Sequence, residues 1–408
     1  MPLDIRPLTG PGELAAWAKV VRTAFLETPT ASADELADLA AAPAEWRRSG
    51  AFDDGACVGT FRSFSQQVTA VGGRAVRANA ISAVSVAATH RRRGILRRMM
   101  AADLAAAQAR GDAVATLRAS EYGIYGRFGF APASHSVERT IDLARTGIDR
   151  HAPLPLGGGR IDVVDAAAVL AEGPQLHARF LPTRAGAVDR DTRWWHKLTG
   201  TGYRAPGWNE PLHVRYRGAD GTTEGLLTYV AAHATRTATV DDLIATSPAA
   251  ERALWTYLCT IDHVARVETG ERAPDDLLPL LLPDPRAAEQ AREHDGLWVR
   301  LLDVPAAFGA RTYEAPGSLV LGVTDASGPA GGTYRLTADA DGTGRAERTE
   351  QEPELTLDVA ALARLWLGDG SPLALAEAGL LEERAEGAAA RAERVLRTAR
   401  RPWCPDGF

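Results

Sequence analysis

The chain has 408 residues, too many for one ordinary core, so two or three domains are expected. Apolar residues make up 45% and charged residues 24%, the balance of a soluble globular protein, and a net charge of −6 argues against nucleic acid as the main partner while weakly suiting a cationic substrate. Cys57, Cys259 and Cys404 show neither CxxC spacing nor an even framework, so no metal site and no disulfide set is expected. The sequence has no 18-residue apolar run for a membrane span and no signal-peptide core near Met1, which points to a cytoplasmic protein.

Along the chain, Leu14 to Leu26 carries apolar residues at helical spacing, and a second helix is expected from Ser32, as N-cap, to Arg48. Cys57–Phe61 and the alternating stretch after Gln67 are predicted strands, with Gly72-Gly73 as a hairpin turn. A strand through Val84 and Val86 leads to a helix from Ile95 to Arg110, closed by Gly111, and then to the short buried strand Ala113–Leu117. This order is α/β, with a crossover between two parallel strands.

Two prolines and three glycines in Pro153–Gly159 place a domain boundary there. A second α/β unit follows, with strands Leu226–Val230 and Thr239–Ala245 and a helix opened by Ser247-Pro248, with Glu251 near a capping-box position. It has the strand-then-helix order of the first unit without a basic glycine turn, as in a degenerate copy. From about Leu297 a small α+β domain is expected, with strands Trp298–Val304, Ser318–Val323 and Thr333–Thr337 and helices Asp358–Leu367 and Arg391–Arg400. The predicted domains are therefore 1–150, 151–295 and 296–408.

The chemistry concentrates in the first domain. Val84-Ser85-Val86 runs through a basic turn, Arg91-Arg92-Arg93-Gly94, into Ile95-Leu96-Arg97. A strand, a glycine turn and a helix start aim backbone N–H groups and the positive helix end at one spot, where a pyrophosphate can sit. Arginines crowding that end are unfavourable by roughly 0.3–1 kcal/mol each unless a polyanion is bound. Tyr125 precedes Gly129-Phe130 in a Tyr-x-x-x-Gly-Phe pattern, with Tyr122 as a competing candidate. A phenol with a pKa near ~10 keeps its proton at neutral pH and can deliver it to a leaving group. The terminal Phe408, in a stretch with two prolines and a tryptophan, offers an α-carboxylate as a proton acceptor if it docks on the first domain; an apolar tail that merely packs is the simpler expectation.

The glycine turn and the tyrosine segment resemble the acetyl-CoA site of the GNAT N-acetyltransferase superfamily. With Thr89–Gly94, Ala119-Ser120-Glu121, Ile124–Gly129, Val299–Ala307 and Phe408, the whole chain resembles the Eis (enhanced intracellular survival) family. The resemblance implies tandem GNAT-type domains, the second degenerate, followed by a sterol-carrier-protein-like α+β domain. It implies Tyr125 as acid and the Phe408 carboxylate as base. Acetyl-CoA contacts are implied for Val84, Ser85, Val86, Arg92, Arg93, Gly94, Ile95, Leu96, Arg97, Ser120 and Glu121. It further implies a hexamer, and a primary-amine acceptor of the aminoglycoside or lysine-peptide kind. The alternative of another class is a non-catalytic carrier of an apolar ligand through the C-terminal domain. Two departures stand out. Ala88 replaces a common proline, and Gly407 offers no acid beside the terminus, where Asp406 is expected to substitute. Glu27, Asp34, Glu35, Asp53 and Asp54 are further acids that could face a cation, with a solvated surface the simpler expectation for most of them.

Overall fold

The structure, a computed structural model, describes residues 3–43, 45–326 and 328–408. Two units emerge from the packing: one contains the chain up to Ala133 with Leu297–Ala399 and Gly407–Phe408, the other Ser134–Gly296 with Arg400–Asp406. The Pro153–Gly159 stretch, taken as a boundary from composition, lies inside the second of these as the lead into the strand Arg160–Val164.

In the first unit, β1 (Asp4–Pro7) is followed by α1 (Pro11–Ala24) and α2 (Ala33–Ala40). Then β2 (Arg47–Asp53), β3 (Ala56–Thr69), β4 (Ala75–Val86) and β5 (Val114–Leu117) extend the sheet in chain order. Strands β4 and β5 are parallel and joined by α3 (Ile95–Ala109), the expected crossover. On α1, Leu14, Trp17 and Ala18 are buried at i, i+3, i+4 spacing, and the Trp17 indole N–H finds the Ser49 carbonyl at 3.0 Å. Gly72 and Gly73 form the predicted hairpin with φ of +89° and +90°.

Ser32 caps α2 as expected, its hydroxyl accepting the Glu35 N–H at 3.1 Å. The helix, however, stops at Ala40 instead of running to Arg48. Pro43 cannot donate to a helical ladder, and Arg47–Asp53 is held by β1 on one side and β3 on the other.

The sheet is completed from far along the sequence. Trp298–Leu301, expected to begin the C-terminal domain as a strand reaching Val304, pairs instead with β5 and with β6 (Ala131–Pro132). It ends at Leu301, because Asp303 caps the short helix Val304–Gly309 by accepting the Ala306 N–H at 2.9 Å. Strand pattern alone names a buried strand but not its neighbour. On this strand Arg300 is fully buried, donating to the Phe128 carbonyl at 2.7 Å and pairing with Asp325 at 2.9 Å. Gly129 makes room for it: its φ is +79°, and a Cβ there would lie 1.8 Å from Arg300 Nη1. Gly129→Ala is therefore expected to destabilise the protein by about 2 kcal/mol, from the left-handed backbone and the overlap together. Chemical denaturation would show it against Gly123→Ala, where nothing lies within 4 Å of the added carbon.

The remainder of this unit is a five-stranded sheet with Gly317–Thr324 at its centre, paired in parallel with Leu355–Asp358. Asp358 caps the helix Val359–Trp366, close to the predicted bounds, while the last helix is Ala388–Leu396 and not Arg391–Arg400. Buried Arg311 donates to the carbonyls of Leu365, Trp366 and Leu396, closing two helix ends.

The second unit is a seven-stranded sheet that repeats the parallel strand–helix–strand order in Thr237–Ala245, Pro248–Thr260 and Arg266–Glu268. Its core gathers Tyr216, Leu227, Leu254, Trp255 and Leu258. Among the described residues no helix is long and apolar enough to cross a membrane.

Candidate active site

The parallel pairing of β4 with β5 ends at Ile81–Leu117, while β4 continues to Val86. A break in the β3–β4 register between Thr60 and Arg62 accompanies the departure, with Ala83 at φ +49°. Thr60 fixes the bulge from the neighbouring strand, its hydroxyl 2.8 Å from the Ala83 carbonyl and 2.6 Å from the Ser85 hydroxyl. Val84, Ser85 and Val86 therefore lie beyond the last β4–β5 rung. Val84 and Val86 are half-buried in the same packed cluster as Ile95, Leu96, Ala119, Ile124 and Tyr125. Strand end, helix start and tyrosine turn are thus gathered in one place.

The basic turn follows. Arg92 has φ +64° and Gly94 φ +76°, so two left-handed residues flank Arg93. Gly94 is the N-cap of α3 and no side chain caps that helix, while a Cβ on Gly94 would meet only the Arg97 guanidinium at 3.8 Å. Donors of the first helical turn and an open approach fit a bound polyanion. Arg92 and Arg97 are exposed there. Arg93 differs from expectation: its guanidinium pairs with Asp53 at 3.0 Å, and His90 Nε2 meets the same carboxylate oxygen at 3.1 Å. These two hydrogen bonds hold the Asp53 carboxyl below its usual range, so it is ionised at neutral pH and braces the turn.

The second unit shows what a closed version looks like. Ser247 accepts the Ala250 N–H at 3.1 Å and donates to the Glu224 carboxylate at 2.6 Å. An internal cap and an internal anion already occupy that helix start. Glu251, placed near a capping-box position from sequence, faces Arg272 at 3.7 Å.

Ser120 and Glu121 lie exposed in the loop after β5. Tyr125 opens the 3-10 turn Gly126–Phe128 and is 8% exposed, its ring edge-on to Phe130 and Trp298, each 6.4 Å away. Burial, aided by the Glu121 charge, pushes its phenol pKa up. Tyr122 is 57% exposed, and its hydroxyl accepts from Arg364 at 2.9 Å.

Phe408 lies against the same sheet. Its ring is edge-on to Phe64 at 5.8 Å, and its backbone oxygen accepts from the Ser82 hydroxyl at 3.0 Å, one residue before Ala83. Around it stand residues that sequence reasoning missed. Trp46 stacks on Phe64 at 5.5 Å, and Arg62 lies 4.4 Å over the Trp46 ring while donating to Ser82 at 2.9 Å. Scattered over β3, β4 and the loop before β2, these residues have no shared spacing by which sequence could have joined them. Asp406, expected beside this group, belongs to the second unit, where it is buried and paired with Arg190 at 2.8 Å. A carboxylate so paired is not offered to a ligand.

Comparison with known proteins agrees with this architecture. Residues 4–133 and 186–301 each match an acetyltransferase (GNAT) domain, and 304–405 match a sterol carrier protein domain. An uncharacterized N-acetyltransferase of Streptomyces avermitilis is 54% identical over all of this chain and 99% of its own length. N-acetyltransferase Eis of Mycobacterium tuberculosis is 34% identical over 82% of this chain and 81% of its own. The crystal structure of Eis1 from Mycobacterium abscessus superposes with a TM-score of 0.85 at 32% identity, covering 99% of this chain and 100% of that one. Fold and site together define an N-acetyltransferase with two GNAT domains and a sterol-carrier-like domain. Within that class, the chain belongs to the Eis family.

Proposed function

We propose that the protein transfers an acetyl group from acetyl-CoA to a primary amine by direct attack in a ternary complex, with Tyr125 as acid and the Phe408 α-carboxylate as base. The observation that carries this is the gathering of Tyr125 with the splayed end of β4 and the uncapped start of α3, while Phe408 sits at Ser82 on the same strand. Acetyl-CoA supplies the activated acyl carbon. Backbone donors at Gly94, Ile95 and Leu96, with Arg92 and Arg97, hold its pyrophosphate, and Val84–Val86 pair with its extended arm. Ser120 and Glu121 flank that arm from the loop after β5. The Phe408 carboxylate, oriented by Ser82, takes a proton from the acceptor's ammonium, the free amine attacks the acetyl carbon, and as the carbon–sulfur bond breaks Tyr125 gives a proton to the departing sulfur.

CoA-thiol release against aminoglycosides, polyamines and lysine peptides tests this reading. Release with any class supports it; silence across this panel with acetyl-CoA still bound leaves an amine of another kind or a carrier role for the C-terminal domain, and silence that extends to uncharged and anionic amines overturns it in favour of the carrier role. The bracing of the turn makes a second prediction. Asp53→Ala should raise the KM for acetyl-CoA by up to about fivefold with little change in kcat, because it loosens the cradle without touching the reacting atoms. Steady-state kinetics with acetyl-CoA varied would show the split.

A further inference from the structure

The second unit gathers Glu138, Glu271 and His294, each partly buried, with one ligand-capable atom apiece and all three atoms within 4.8 Å of one another. Three separate stretches supply them. The strand His135–Asp142 pairs antiparallel with Ala288–Asp295, which sets Ser136 opposite His294. Residues paired across a ladder share a face, and so do residues two apart on one strand, so Ser136, Glu138 and His294 stand on one face. On the other edge of His135–Asp142, an isolated bridge between Val137 and Arg272 brings in Glu271. The group contains no cysteine, so cysteine spacing gave no sign of it.

The distances suit an ion between these side chains. His294 Nε2 lies 3.4 Å from Glu271 Oε1, and Nδ1 lies 3.9 Å from Glu138 Oε1. Both exceed the about 2.7–2.9 Å of a charge-assisted hydrogen bond, so the imidazole is not clamped as a cation between two carboxylates. Ligand atoms about 2.1 Å from a tetrahedral ion stand about 3.4 Å apart, which is the spacing found here. Two buried polar atoms of the same face add an independent sign. His294 Nδ1 and Ser136 Oγ have no hydrogen-bond partner, and Ser136 is fully buried. Such atoms are costly unless something supplies the missing bond. Gly296 keeps the space beside the hydroxyl clear, since a Cβ there would come within 3.4 Å of Ser136 Oγ.

We propose that Glu138, Glu271 and His294 bind a divalent metal ion of the zinc type, which ties the two strands to residues 270–272. His294 donates through one ring nitrogen and each glutamate through one oxygen, and a water completing the shell supplies the bond that Ser136 Oγ lacks. The donor set selects the metal: one imidazole with two carboxylates suits Zn2+, whereas Mg2+ and Ca2+ take shells of oxygens. The two carboxylates balance the charge of the ion. Both are about one-third exposed, which leaves the ion a way in. Arg292, 3.8 Å from Glu138 Oε1 with a side chain 63% exposed, is free to swing into solvent as the ion takes its place.

The test is calorimetric titration with Zn2+ of the full-length protein, stripped by a chelator and dialysed free of it. The wild type should bind one ion per chain at micromolar zinc, its Tm should rise with zinc concentration, and millimolar Mg2+ or Ca2+ should not compete. Glu138→Gln and Glu271→Gln preserve size at partly exposed positions, so both should fold, and each should weaken binding at least about tenfold. His151→Gln, at an exposed histidine outside the group, should leave the affinity unchanged. Absence of zinc binding in the wild type would overturn the proposal. So would binding that persists undiminished in both glutamate variants, or displacement of the ion by Mg2+ or Ca2+.

Discussion

Replacing Tyr125 with Phe is expected to lower kcat by about 10²–10⁴-fold, the usual contribution of one positioned acid, while acetyl-CoA still binds. Phe keeps the edge-on packing against Phe130 and Trp298 and deletes only the hydroxyl, so the loss reports proton delivery rather than collapse of the turn. The pH dependence follows from the raised pKa. An acid works while protonated, so the wild-type rate should hold through neutrality and fall only above the ordinary phenol value of about 10. In Tyr125→Phe that alkaline fall should disappear. Tyr122→Phe should change little, since its hydroxyl is engaged by Arg364. Calorimetric titration with acetyl-CoA and a pH–rate profile would decide it, and full turnover in Tyr125→Phe would remove the residue from the mechanism.

Extending the chain beyond Phe408 by a single alanine should produce a loss of similar size. The extension turns a carboxylate into an amide carbonyl, which still accepts the Ser82 hydrogen bond but cannot take up a proton. The Phe408 ring can stay against Phe64, so folding should be preserved. Phe408→Ala makes the complementary comparison: it keeps the carboxylate and loses the ring contact, and should retain more activity than the extended protein. Normal CoA release from the extended protein would end the assignment of Phe408 as base.

Much of the fold could be seen in advance because local chemistry decided it. The Gly72-Gly73 turn, the Ser32 and Ser247 caps and the crossover through α3 each follow from a few adjacent residues. What sequence missed was decided at long range. The helix expected to reach Arg48 yielded to pairing on both edges of Arg47–Asp53, and Trp298–Leu301 joined a sheet whose other strands lie far upstream. The site divides in the same way. The turn at Arg91–Gly94 and the segment at Tyr125 are contiguous motifs. The Arg62–Ser82–Phe408 chain and the Trp46–Phe64 stack arise only when β3 and β4 are in register. Arg93 shows the limit of a motif: the residue is where the pattern puts it, but its charge is spent on Asp53.

The insertion of Trp298–Leu301 between β5 and β6 bears on how this enzyme can be taken apart. A fragment cut after the first GNAT match, at Ala133, would contain every residue of the basic turn and Tyr125 itself. It would also present β5 as a raw apolar edge, open to pairing with other copies, and leave Tyr125 without one of its two aromatic neighbours. The same connection defers completion of the sheet during synthesis until the whole second unit's main segment has been made, a long-range closure of the kind that slows folding. The acetyltransferase domain recognisable in the first third of the sequence is, physically, a property of the longer chain.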